Sequence, residues 1–189
     1  MTHRFRAAGP HPTVPFTIGV DMDNNEILLR INDAVSLDDA RLVAIFALGG
    51  ESVDEDTTQA MLGDPSEPDS VICQGDRLLR FLDGFILDQR GQRPTTDKTS
   101  EPQPEPLSNN VVLKKLRIAL QLKEDDVLRI LASGGTALSK RQLGALARKR
   151  GNKHYRVCSD EVLASFLTEL SAQKHTDSPA AAWAGMAKA

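Results

Sequence analysis

The chain has 189 residues, 40% of them hydrophobic but only 4% aromatic, and a formal net charge of −3. That is room for one ordinary domain or two small ones, with a core of Leu, Ile, Val and Ala rather than of rings. The overall charge favours no class of partner, two cysteines make no disulfide framework, and no apolar run approaches the ~18 residues that span a bilayer.

Residues 1–21, MTHRFRAAGPHPTVPFTIGVD, are Pro-rich and without helical period. They lack the basic start and apolar centre of a secretory signal, so the expected compartment is a reduced cytoplasm. The expectation is a disordered leader or an upstream start-site extension, with Met22 opening the folded part. FTIGV (16–20) is the only stretch with strand character; elsewhere little alternates with a period of two.

Four helices are expected over 22–90. The first starts after Asn24-Asn25, a good capping type, and sets Ile27/Leu28, Ile31 and Ala34/Val35 on one stripe. In SLDDARLVAIFALGG, Asp38 suits the cap and Leu37 and Leu42 have the spacing of a hydrophobic staple, while Gly49-Gly50 supplies the left-handed residue that closes a helix. The third, DEDTTQAML, carries weaker signals than the equivalent stretch that starts at Ser139 and is expected to be the shorter of the two. The fourth follows Cys73 in ICQGDRLLRFLDGF, with Leu78, Phe81, Leu82 and Phe85 at helical spacing.

Residues 91–107 open with GQRPTTDKTSEPQPEP, too polar and Pro-rich to offset the entropy of ordering, and are expected to be a linker.

The same pattern then returns over 108–174. Sliding the chain by 85 residues aligns 24–91 with 109–176 without a gap. Asn24-Asn25 falls on Asn109-Asn110, Leu28 on Leu113, Ala34 on Ala119, Gly49-Gly50 on Gly134-Gly135, Cys73 on Cys158, and Phe81-Leu82 on Phe166-Leu167. Lys123 replaces Asp38, so Glu124 and Asp125 must bring negative charge to that helix start. Ser139 and Gln142 form a capping box with Leu138 and Leu143 as its staple. Residues 175–189, ending AAAWAGMAKA, are expected to be a mobile tail.

The fold class is therefore all-α: two tandem homologous bundles of about four short helices each. A unit of ~65 residues is marginal alone, because it buries too small a fraction of its surface. The copies either pack their apolar faces together or fold separately and stay tethered.

Catalytic chemistry is missing from the pattern. No Cys-x-x-Cys or His-Glu-x-x-His occurs, and no two of the four histidines share a helical face, so neither a metal nor a cofactor is expected. Cys158 with His154 is the one close Cys–His pair, but Asp69 stands at the other copy's equivalent of His154. Both cysteines are read as small buried apolar residues. The Gly pairs follow no strand and carry no phosphate-loop fingerprint, and the acidic runs lack the alternation of a calcium loop. An enzyme is the last of the readings.

The charges divide unevenly. Residues 24–91 hold 14 acids against 5 bases, a balance of −9; residues 109–176 hold 6 against 13, or +7. Lys140, Arg141, Arg148, Lys149, Arg150, Lys153 and Arg156 cluster on and after the third helix of the second copy, with Tyr155 among them. Three readings compete. The oppositely charged copies attract each other, within one chain or head to tail between chains; an acidic protein partner docks on the basic copy; or the basic copy binds nucleic acid. For the last, helix–Gly–helix order resembles a helix-turn-helix with Lys140–Arg150 facing the duplex, although Ser133 to Ser139 is longer than the usual turn. Self- or protein association is the leading expectation, and nucleic-acid binding the alternative.

The repeated NNxxLxxxxxAxxLxxxxxxxIxAxGG…CxxxxLxxFL resembles the YehS-like family of small bacterial cytoplasmic proteins, most closely in SNNVVLKKLRIALQLKEDDVLRIL (108–131). The resemblance covers about residues 22–174. It implies two copies of a domain of unknown function joined by a variable linker, a bacterial cytoplasmic setting, and a start near Met22. It brings no activity, ligand or catalytic residue with it, and the leader and Ala-rich tail depart from the pattern.

Overall fold

The computed structural model describes residues 22–91 and 105–175. The first copy forms α1 (Asn24–Val35), α2 (Asp39–Leu48), α3 (Glu55–Leu62) and α4 (Gly75–Arg90). The second forms α5 (Asn109–Ala119), α6 (Glu124–Ser133), α7 (Lys140–Leu146) and α8 (Asp160–His175). Each helix of the second copy begins 85 residues after its counterpart, and no strand occurs among the described residues. The leader with FTIGV, the linker from 92 to 104 and the tail from 176, Trp183 included, lie outside them. Met22 is within them and packs half-buried against the core.

Local rules account for most helix ends. Asp23, Asp38 and Asp54 each accept the backbone N–H three residues on, at 2.8 Å, and Ser108 takes that of Val111 at 3.4 Å. The Asn pairs are thus not the caps; they sit inside the first turn with their amides aimed elsewhere. Lys123 has no acceptor to offer, so its own N–H goes to Asp126 Oδ2 at 2.9 Å, while Glu124, Asp125 and Asp126 meet the positive helix end. The box of Ser139 and Gln142 forms in both directions. Gly50 and Gly135 take φ of 78° and 77°. Beyond them the N–H groups of Glu51 and Thr136 reach back to Phe46 and Leu131, closing Schellman motifs. The third helix departs from expectation. α3 has 8 residues against 7 in α7, because the Gly63 N–H still bonds Gln59 O at 2.8 Å whereas Arg148 N turns to Ala145 O at 3.5 Å.

One cluster of buried side chains runs through both copies, from Ile27 to Leu170. It is built on exchange. α1, which buries Ile27, Leu28, Ile31 and Ala34, packs more extensively against α8 than against α4 of its own copy; α5 likewise packs chiefly against α4. Polar contacts repeat the exchange at equivalent positions: Arg30 Nη1 donates to Thr168 Oγ1 at 2.9 Å, and Lys115 pairs with Asp83. Of the two arrangements open to the sequence, the copies adopt mutual packing. Each supplies the surface that a unit of this size lacks.

Candidate functional site: a basic cleft in the second copy

The site is built on the second Asn of each pair. Asn25 Nδ2 donates to the carbonyls of Met61 and Val71 at 2.8 and 2.7 Å, and its Oδ1 accepts the Cys73 N–H at 2.8 Å. Asn110 repeats this on Leu146, Arg156 and Cys158 at 2.8, 2.8 and 2.9 Å. One amide, half-buried in Asn25 and buried in Asn110, therefore pins the end of the third helix to the start of the fourth, where unpaired backbone groups would be costly. The first Asn adds a bond to the cysteine carbonyl, at 2.9 Å from Asn24 and 3.2 Å from Asn109. The repeated Asn pair therefore holds one loop closed, through the backbone of Cys73 in the first copy and of Cys158 in the second.

In the second copy that loop presents the basic cluster. Tyr155, where the first copy has Ser70, donates its hydroxyl to Asn110 Oδ1 at 3.1 Å and completes the amide's set of partners. The Arg156 N–H bonds Ala145 O at 3.2 Å, and Asn152 accepts the His154 N–H on its side chain at 2.9 Å. The backbone from 147 to 157 is thereby tied down, and its long side chains project outward. α7 stops at Leu146, so the helix expected over Lys140–Arg150 is about one turn shorter, and Arg148 to Arg156 stand on a loop.

Four of the seven predicted residues, Arg141, Arg148, Lys153 and Arg156, converge on an open cleft of about 820 Å³. Ser139, Gln142, Ala145, His154 and Tyr155 complete its wall. Arg150 lines a smaller neighbouring recess with Arg148, Tyr155 and Lys114, and Lys149 lines neither. Lys140 turns away to Asp125 at 2.8 Å, where each group's hydrogen bond to the other raises the amine's pKa and lowers the carboxyl's. The other six cations form no ion pair among the described residues. Sequence reasoning had assigned Ser139 and Gln142 to a cap and His154 to a discarded dyad. The overlooked signal was the exchange of Ser70 for Tyr155 beside a repeated Asn–Cys frame.

The thiols take no part in this surface. Cys73 and Cys158 are buried, and burial pushes them up to about 11 and about 12, which keeps them neutral. His154 is exposed and no hydrogen bond joins it to Cys158 among the described residues. No three His, Cys, Asp or Glu side chains gather as a metal site among those residues.

The family described as "Protein of unknown function (DUF1456)" matches residues 24–91 and again 109–175. The chain belongs to that family. It is also similar to "Uncharacterized protein YehS" of Escherichia coli (strain K12), at 34% identity over 157 residues, 82% of this chain and 97% of that protein. No solved structure matches. No helix among the described residues is long and apolar enough to cross a membrane.

The two DUF1456 copies are electrical opposites at this one place. Arg141, Lys149 and His154 of the second stand where the first has Asp56, Asp64 and Asp69, and Lys140 stands for Glu55. The frame beneath is the same, down to the three bonds that the second Asn of each pair makes to the loop backbone. What differs is the sign presented to solvent.

Proposed function

We propose that the protein is a cytoplasmic binding module without catalysis of its own, and that it works through protein association, with an acidic partner docking on the basic cleft of the second copy. The observation that carries this reading is the convergence of Arg141, Arg148, Lys153 and Arg156 on one cleft with no carboxylate of the described residues paired to them. Guanidinium groups match carboxylates in a planar, two-bonded geometry that ammonium groups do not. Each exposed pair contributes only about 0.2–1 kcal/mol, so affinity must come from several acting together and must fall with salt.

A protein partner suits the cleft better than a duplex does. α7 spans seven residues, ~10 Å, and most of the cations lie on the following loop rather than on a helix that could lie in a major groove. Tyr155, the aromatic of the cleft, is half-buried with its hydroxyl spent on Asn110, which leaves little face for stacking bases.

Titration of the full chain with a labelled polyglutamate peptide, a DNA duplex and an RNA tests this. The peptide should bind at about 50 mM salt and weaken steeply by 200 mM. An Arg148→Glu/Lys153→Glu/Arg156→Glu variant should bind it at least about tenfold more weakly, the equivalent of ~1.4 kcal/mol. Duplex or RNA binding tighter than the peptide's would move the reading to nucleic acid, and peptide binding unchanged in the variant would remove the cleft from it.

A further inference from the structure

We infer that the acidic partner is a second molecule of this chain, whose first-copy loop, residues 63–71, seats in the basic cleft of the next molecule's second copy. The inference rests on the reading of the cleft given above and identifies its occupant.

The first argument is complementarity between structurally equivalent pieces. Loop 63–71 reads GDPSEPDSV, and its counterpart 148–156 reads RKRGNKHYR. Asp64, Glu67 and Asp69 are all exposed, as are Arg148, Lys153 and Arg156. The acidic loop is pre-shaped: Asp64 accepts the N–H and hydroxyl of Ser66 at 2.8 and 2.7 Å, and Glu67 and Ser70 close successive backbone turns at 3.0 and 3.1 Å. Pro65 and Pro68 stiffen it further, so little ordering entropy is lost when it docks.

The second argument is that these surfaces do not satisfy each other within one molecule. Among the described residues no hydrogen bond or ion pair links 63–71 to 139–156, and the ion pair that does join the copies, Lys115 with Asp83, lies at the helix interface.

The third is apolar. Among the described residues the most exposed large hydrophobics are Ile72 at 70% and Val157 at 74%, and they occupy equivalent positions, one beside each loop. A bare Ile or Val next to a charged loop is ordinary on one copy. At the same position on both, flanking surfaces of opposite sign, the pair supplies the apolar contact that an association built from exposed charges lacks. Loop and cleft are different surfaces, so the same contact closes a two-fold dimer when it is made reciprocally and builds rings or open chains when it runs head to tail.

Sedimentation velocity of the full chain provides the test, with two charge-reversed variants. One carries Arg148→Glu/Lys153→Glu/Arg156→Glu, the other Asp64→Lys/Glu67→Lys/Asp69→Lys; all six positions are exposed, so both should keep the native circular dichroism and melting. The wild type should associate at about 50 mM salt and dissociate at about 500 mM, where charges are screened within a few ångström. Each variant alone should sediment as a monomer at low salt. An equimolar mixture should associate again, since the first variant keeps the acidic loop and the second keeps the basic cleft. A mixture that stays monomeric, or a cleft variant that associates as the wild type does, overturns the inference. If polyglutamate still binds the wild-type cleft in that case, only the identity of the partner is wrong; if it does not bind, the cleft reading falls as well.

Discussion

The two copies share a frame and differ in what fills it. In the first, Phe46, Phe81 and Phe85 form a chain of rings with centroids 5.1 and 6.1 Å apart; in the second the equivalent positions are Leu131, Phe166 and Leu170. In the first, α2 and α4 meet backbone to backbone. A Cβ on Gly84 would lie 1.9 Å from the Ile45 carbonyl oxygen, and one on Gly49 the same distance from that of Arg80. In the second, Glu169 replaces Gly84 and Ser165 replaces Arg80, so side chains meet Gly134. Yet the Asn bonds, the Schellman turns and the buried cysteines are the same in both. Interior hydrogen-bond geometry tolerates no substitution that leaves a buried group unpaired, whereas packing has several solutions and surface charge has very many. Duplication thus left the loop frame alone while its outer face changed sign.

That comparison can be broken most forcefully in the core. Phe81→Ala should cost about 3–5 kcal/mol in urea unfolding, with Phe166→Ala at the low end of that range, since it loses burial but no ring partner. Equal losses would mean the rings contribute nothing beyond their area. Asn110→Ala strands the carbonyls of Leu146 and Arg156 and the Cys158 N–H, and should cost about 3 kcal/mol. Asn25→Ala should cost slightly less, and Tyr155→Phe, which removes only the bond peculiar to the second copy, about 1 kcal/mol. If Asn25→Ala proved the more damaging, the added tyrosine bond would have no value.

Next comes the helix crossing. Gly84→Ala should lose about 2 kcal/mol by forcing α2 and α4 apart, and Gly134→Ala distinctly less, because its neighbours are side-chain atoms that can turn away. A last effect, slight at neutral pH, is alkaline and common to both copies. A thiol whose pKa is raised on folding contributes stability that is intact below the ordinary thiol range near 9 and is lost as pH rises toward the folded values of about 11 and about 12. Through these groups stability should therefore not vary with pH near neutrality and should decline above about pH 9. Alkylation of native protein should proceed no faster than unfolding, at both cysteines alike; rapid labelling of one alone would show that the frames are not equivalent.

Much of this was legible before any coordinates. Asp38 as a cap, the Ser139–Gln142 box and the Gly pairs act over at most six residues of chain, and each formed as its spacing indicated. The Asn pairs misled for the same reason. Asn beside a helix start suggests capping, but Asn110 finds its partners 36 to 48 residues away. The basic cluster was equally visible as composition, though not its division into four cations facing a cleft, one facing a smaller recess, one turned to Asp125 and one on neither.

Sequence alone determined that four helices recur in each copy, which faces are apolar, that the module occurs twice, and which sign each copy carries. These follow from interactions between near neighbours or from simple counting. Only the tertiary structure decided that α1 covers α8 and α5 covers α4, that the asparagines clamp loops, and which cations share a cleft. An apolar stripe specifies that it will be buried, not against what; the partner is chosen by shape and by the hydrogen bonds that must close across the gap.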